Sequence, residues 1–299
     1  MTELKALIKR NTKLFFKDKG MFFTALITPA ILLVLYATFL ANVYRDSFTS
    51  NLPAGVSLSK SLIEGLVGGQ LISSLLAVSC VTVAFCSNFL MVQDKASGSI
   101  KDLKISPVRS STLSMSYYIS SLLATVIICL VAAAICLGYV ALIGWYMSLA
   151  DVLLLILDIL LLVLFGTALS SIINFFLSSQ GQISAVGTIV SSGYGFICGA
   201  YMPISSFGEG LQRVISFLPG TYGTSLIRNH ALRGVFAAMG DEGIPNDVIE
   251  LMKDAIDCNL YFFDTKVSVW AMYLVLSVTV AVLISIYVIM NSLKIKKRK

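Results

Sequence analysis

The chain has 299 residues, 57% of them hydrophobic and only 13% charged, with a formal net charge of +6. Soluble domains carry roughly 45–50% apolar and about 25% charged residues, so a soluble domain, and with it a nucleic-acid module built on a basic face, is excluded. Stretches of about 20 apolar residues recur, long enough to cross a hydrocarbon core of roughly 30 Å and too long for barrel strands. Lipid offers backbone N–H and C=O groups no partners, so these runs predict an all-α integral membrane protein.

Residues 2–19 predict an amphipathic helix lying in the headgroup layer. At about 100° per residue, Leu4, Leu7, Ile8, Asn11, Leu14 and Phe15 share one face, and Lys5, Lys9, Lys13 and Lys17 occupy the other together with Arg10. The cations then meet anionic lipid or a protein partner. Residues 1–20 are read as this interfacial element and residues 21–299 as one transmembrane domain. Its six predicted spans are Met21–Ala41, Gly68–Met91, Met115–Ile143, Val152–Leu177, Ile183–Met202 and Ser268–Asn291. The first is too long for a signal-peptide core, and Pro29 is expected to kink it.

The segment Asn42–Val67, with Pro53 and Gly55, reads as an external loop. Its run Gly55-Val-Ser-Leu-Ser-Lys60-Ser61 superficially resembles a phosphate-binding loop, but it lacks the second glycine and a preceding strand. No other segment comes closer, so the chain is not expected to hydrolyse ATP itself.

Orientation follows from the basic residues. Of the 22 Lys and Arg residues, 15 precede the first span, lie between the second and third, or close the chain. That side is expected to be cytoplasmic, with both termini inside. Cys80, Cys86, Cys129, Cys136 and Cys198 fall within spans, where cysteine acts as a small apolar residue. Cys258 is the only one in an external loop and has no disulfide partner there, and no spacing suggests a metal site.

Asp158 lies in the apolar run Leu153–Phe165, where an ionisable group costs roughly 2.5–3.5 kcal/mol. It is either a polar element of a transport path or a residue bonded to another helix or snorkelling outward. His230, the only histidine, is expected to be solvated or capping. Gln70, Ser73, Ser74, Ser79, Thr82, Ser87 and Asn88 mark the second span; Ser184, Thr188, Ser191, Ser192 and Tyr194 mark the fifth, where glycines accompany them. Such residues allow close helix approach and interhelical hydrogen bonds.

Between the second and third spans lies the cytoplasmic segment Gln93–Ser114, in which a short helix parallel to the membrane is expected. Ser99 is placed as its cap, and it ends before Pro107. Ile100, Leu103 and Lys104 fall near one another, a pattern suited to docking into a groove of another protein. The segment resembles the cytoplasmic coupling helix of ABC exporter permeases of the second membrane-domain type: Asp94, Gly98-Ser99, Leu103 and Pro107 match the family spacings, while Ala96 stands where an acid is common. Further on, Gly199-Ala-Tyr-Met-Pro203, Leu211-Gln212, Leu218-Pro219-Gly220-Thr221-Tyr222 and Leu226-Ile227-Arg228 resemble, in order, the motifs of the drug-exporter branch. Leu218 and Gly220 replace the usual Asn and Leu, and Gly208 stands where a loop proline is common.

This resemblance implies a multi-pass permease in a prokaryotic plasma membrane, working as a dimer or with a sister permease. It implies two copies of a separate ATPase that carry the ATP and Mg, with no cofactor on this chain. Asp94, Gly98, Ser99, Leu103 and Pro107 would couple to that ATPase. The second and fifth spans would line the path, with Phe85, Asn88, Phe89, Tyr194, Phe196 and Met202 meeting a drug-like or amphipathic peptide or lipid cargo. The external segment 203–267 is expected to hold two short amphipathic helices, one around Leu211–Leu218 and one capped by Asp247 around Val248–Ile256. Pro203, Leu218, Pro219, Tyr222 and Arg228 would form an outer gate. The rival reading is an ion- or proton-coupled carrier or channel.

Overall fold

The computed structural model describes residues 2–50, 58–105 and 108–296. Helix α1 (Thr2–Lys17) leads into α2 (Lys19–Leu35), a π-helical turn (Tyr36–Leu40) and α3 (Ala41–Ser50). Then follow α4 (Lys60–Ala96), the short α5 (Ser99–Ile105), α6 (Ser110–Ile143), α7 (Leu149–Phe176) and α8 (Gln180–Ile197). A 3-10 turn (Ile204–Ser206) precedes α9 (Glu209–Ser216), α10 (Pro219–Asp241) and α11 (Asn246–Ala255). An antiparallel hairpin, β1 (Leu260–Phe262) with β2 (Thr265–Val267), leads into α12 (Val269–Lys296).

Among the described residues, five helical stretches are long and apolar enough to cross a membrane: Lys19–Asp46, Lys60–Ala96, Ser110–Ile143, Leu149–Phe176 and Val269–Asn291. The protein is therefore a multi-pass, all-α membrane protein. The predicted fifth span, Ile183–Met202, is not among the five. Helix α8 has 18 residues, about 27 Å at 1.5 Å per residue. It stops at Ile197, before Gly199, whose φ is +73°.

Helix α4 is the axis of the fold. It is apolar all round, the signature of a helix with no solvent face, and its most apolar stretch is wholly buried. Helices α2, α3, α6, α7, α8 and α10 surround it. Because lipid is as apolar as leucine, small residues and interhelical hydrogen bonds hold such a core rather than water exclusion. Asn88 donates to Ser170 Oγ at 3.1 Å and Ser171 Oγ at 2.6 Å, and Ser121 donates to the Ser87 carbonyl at 3.2 Å. The outer helices present exposed apolar stripes at helical spacing: Trp270, Leu274, Val278 and Val282 on α12, and Ile127, Val131 and Ile135 on α6.

Several sequence expectations change. Helix α2 runs through Pro29, and the irregularity comes later, at the π turn. There the Tyr36 hydroxyl donates to the Ala200 carbonyl at 3.0 Å. Asn42–Ser50 is helical rather than loop, because Tyr44 and Phe48 stack in succession on Tyr36. Lys60-Ser61 opens α4, with Ser59 as its cap, while 51–57 and Pro107 lie outside the described residues. Ser99 is the first residue of α5, not a cap before it.

The largest change is α10. The sequence predicts two short amphipathic helices in segment 203–267, around Leu211–Leu218 and Val248–Ile256, and none between them. A 23-residue helix fills that interval, with Pro219 at its first turn, and packs inside the bundle against α4, α7 and α12. Helices α9 and α11 do form near the predicted stretches, but α11 starts after Pro245, and Asp247 sits in its first turn instead of capping it.

Candidate functional site: a clamp at the base of the central helix

At the end of the bundle carrying α1 and α5, the last turn of α4 is tied to three other helices by adjacent residues. Asp94, buried, accepts from Arg10 Nη1 of α1 at 2.8 Å and from the Tyr117 hydroxyl of α6 at 2.5 Å. Lys95 donates to the carbonyls of Asn174, Phe175 and Leu177, at 2.9, 2.9 and 3.0 Å, where α7 ends. A cation over terminal carbonyls satisfies acceptors that have no intrahelical partner and complements the negative end of the helix dipole. Asn11 of α1 donates to Ser116 Oγ at 3.2 Å, and Ser114 donates to Asn291 at 2.6 Å, drawing α12 into the same junction.

Gly98 turns the chain from α4 into α5 with φ of +83°, a conformation glycine adopts without the steric cost a Cβ incurs. In α5, Ile100 and Leu103 are partly buried against the protein's own core, Lys101 and Asp102 are exposed, and Ile105 is 85% exposed. Leu103, which the sequence suggested as a docking residue, thus faces home, and Ile105 is the apolar side chain presented outward. Sequence reasoning also put Arg10 on the cationic face of α1. It is half-buried against Asp94, while Lys5, Lys9, Lys13 and Lys17 are exposed.

A second network lies toward the opposite end. Arg228 of α10 is 1% exposed. It donates to the Ile256 carbonyl at 2.6 Å and the Gly199 carbonyl at 2.8 Å, and approaches Asp257 at 3.5 Å. Asp257 also accepts from the Ile204 N–H at 3.1 and 3.0 Å. Burial pushes the Asp257 carboxyl up to about 6, against the opposing pull of Arg228. Nearby on the surface, hydrogen bonds from Lys253 and Lys266 hold Glu250 down at about 2. One guanidinium thus joins the end of α8, the end of α11 and the middle of α10.

Asp158 does have partners. His230 Nδ1 lies 2.5 Å from its Oδ2, and the Tyr273 hydroxyl donates to its Oδ1. His230 is 6% exposed, so it is neither solvated nor a cap. The cue in the sequence was a lone aspartate and a lone histidine, each among apolar neighbours. Linking them required knowing that α10 enters the bundle.

A protein-family model described as ABC-2 type transporter matches residues 2–231, most of the chain and everything from α1 into α10. The chain belongs to the ABC-2 type transporter family. No curated protein matches it. As an ABC-2 permease it is a membrane transport subunit rather than a catalytic one, and the family in general works with an ABC ATPase.

Within this ABC-2 permease the residues suggested for the path divide into two groups. Phe85, Asn88 and Phe89 of α4 are buried inside the chain, and Asn88 is bonded to α7. Helix α8 instead turns Ser184, Thr188, Ile189, Ser192 and Phe196 outward, while Met202 is partly buried. Tyr194 packs over the start of α10 so tightly that a Cβ on Gly220 would lie 2.5 Å from its hydroxyl. Of the suggested gate residues, Pro203 precedes the 3-10 turn, Leu218 and Pro219 open α10, and Tyr222 is buried with its hydroxyl donating to the Ser216 carbonyl at 2.5 Å. Tyr222 is thus turned inward, and Arg228 is the hub described above.

Proposed function

We propose that this permease forms half of the translocation path of an ATP-driven exporter, dimeric or paired with a sister permease, and is driven by two copies of a separate ATPase that binds ATP and Mg. Residues 1–20 form its interfacial element and residues 21–299 its transport domain, with α8 completing six crossings. The chain sits in a prokaryotic plasma membrane with both termini cytoplasmic, because the basic residues favour that side. The exposed hydroxyl and aromatic stripe of α8 is the wall offered to a drug-like or amphipathic peptide or lipid cargo.

The observation that carries the reading is the clamp at the base of α4. A push on α5 from an ATPase reaches the buried central helix through Gly98, then α1 and α6 through Asp94, and α7 through Lys95. These helices consequently move as one body, and ATP supplies the free-energy difference that shifts the population between inward-open and outward-open states. Replacement of Gly98 by proline, whose ring holds φ near −65°, cannot reproduce the turn. Gly98→Pro and Ile105→Asp are expected to cut ATP-driven export by about tenfold or more with the permease still in the membrane. Reconstituted vesicles containing the ATPase measure this. Undiminished export by both would remove α5 from the coupling route.

The buried Asp158–His230–Tyr273 cluster favours one other reading, a proton-coupled carrier, since intramembrane ionisable groups mark proton relays. The same vesicles separate the two. Uptake driven by an imposed proton gradient without ATPase or ATP would support the carrier, and dependence on both would support the exporter.

A further inference from the structure

At the end of the bundle opposite α1 and α5, a cavity of about 460 Å³ opens between α9, the start of α10 and the β-hairpin. That volume lies within the range of small-molecule sites, about 300–1,000 Å³. Its walls carry four carboxylates, from Glu209, Asp254, Asp257 and Asp264, against the single cation of Arg213. Three rings, from Tyr222, Tyr261 and Phe263, share the same space.

The acids are arranged unlike a metal site. Among the described residues no three His, Cys, Asp or Glu side chains gather closely enough to hold a metal ion. Instead the carboxylates are dispersed around a volume far larger than an ion. Asp257 lies buried against Arg228, and Asp254 accepts from Asn259 at 2.7 Å and from the Tyr261 hydroxyl at 3.1 Å. That last bond fixes a carboxylate at the edge of an aromatic ring. Glu209 and Asp264 make no hydrogen bond or ion pair among the described residues and leave their charge to the space itself.

A concave wall with excess negative charge attracts cations from a distance, and aromatic faces hold them at contact through the ring quadrupole, provided the ion is bulky and weakly hydrated. We propose that this cavity binds organic cations with an apolar or aromatic body. The proposal rests on the exporter reading only for placing the cavity outside the cell, and it narrows the cargo class to amphiphilic cations held on the exit side.

The test uses the full-length chain with Ser205→Cys, which leaves the rings and carboxylates in place. Ser205 lines the cavity and is exposed, whereas all six native cysteines are buried, so an impermeant maleimide reports the new thiol. Tetraphenylphosphonium is expected to slow labelling from outside at least about fivefold, and tetraphenylborate, of the same shape and opposite charge, to leave it unchanged. Adding Glu209→Gln and Asp264→Asn should raise the phosphonium concentration that halves labelling, relative to each protein's own unprotected rate, about tenfold, as expected for two carboxylates acting through partly screened charge.

Equal protection by the borate would show a merely apolar pocket and overturn the proposal. Protection by calcium alone would overturn it in favour of a metal site. A double variant that binds the phosphonium as tightly as the parent, or no protection at all, would also overturn it while leaving the exporter reading intact. Labelling only after permeabilisation would contradict the external placement and overturn both.

Discussion

Arg228→Met is expected to lower the melting temperature of the detergent-solubilised permease by on the order of 10 °C, the largest single effect in the molecule. The side chain is 1% exposed and satisfies two backbone carbonyls besides facing Asp257. Breaking a buried charge pair from one side costs about 3–5 kcal/mol, because the remaining charge has no compensation. Here the carbonyls of Gly199 and Ile256 lose their donor too, so the end of α8 and the end of α11 both detach from α10. Lysine keeps the charge but not the planar fork that reaches both carbonyls, so Arg228→Lys should fall between methionine and the parent. Arg228→Met combined with Asp257→Asn should recover part of the loss. A melting temperature unchanged in Arg228→Met would show that the junction carries no stability.

The same junction has a pH signature. The Asp257 carboxyl is held up at about 6 by burial, above its ordinary value of about 3.9. A carboxyl raised in this way favours the folded protein in its protonated form. That contribution is fully present below about pH 4 and is lost as pH rises through about 6, on the order of 3 kcal/mol across the window. The parent should therefore lose melting temperature between about pH 4 and pH 6 relative to Asp257→Asn, which has no proton to release. A constant difference between the two proteins over that range would contradict the assignment. Arg228→Met should also be partly rescued by acid, since protonation removes the charge left without a partner.

The second large effect is expected at Asp158. Its side chain is fully buried and bonded to His230 of α10 and Tyr273 of α12. Asp158→Ala leaves both partners without an acceptor and should destabilise the permease by about 3–5 kcal/mol. Asp158→Asn keeps an acceptor for Tyr273 and should be milder. Replacing Asp158 and His230 together by leucine should come close to the parent, because apolar substitution of a whole buried pair is often neutral or better. A double-mutant cycle on melting temperature measures the coupling. If Asp158→Asn is as stable as the parent yet abolishes transport, the carboxylate takes part in the transport step and the cluster is more than a brace between α7, α10 and α12.

What the sequence determined by itself was the class of molecule and the framework of the family. Apolar run length and the side preference of Lys and Arg are local or additive properties, readable without a fold. The motif Asp94, Gly98-Ser99, Leu103 is of the same kind, because its spacing specifies a turn and a short helix. The capping box of Ser148 and Asp151 at the start of α7 is a local signal too, one that the sequence reading did not use.

Only the tertiary structure decided what those residues do. Asp94 belongs to the motif Asp94, Gly98-Ser99, Leu103 but is bonded inward, to Arg10 and Tyr117, 84 and 23 positions away. Leu103 faces the core and Ile105 faces out, although both fit a docking helix by composition. Helix α10 was missed because its serine, threonines, asparagine, arginines and histidine dilute the apolar signal that marks a buried element. Their polar groups are satisfied inside the bundle by backbone carbonyls and by Asp158, and no periodicity in the sequence records where those partners stand. A buried polar residue is stable only through its partners, and those partners come from distant segments brought together by the fold.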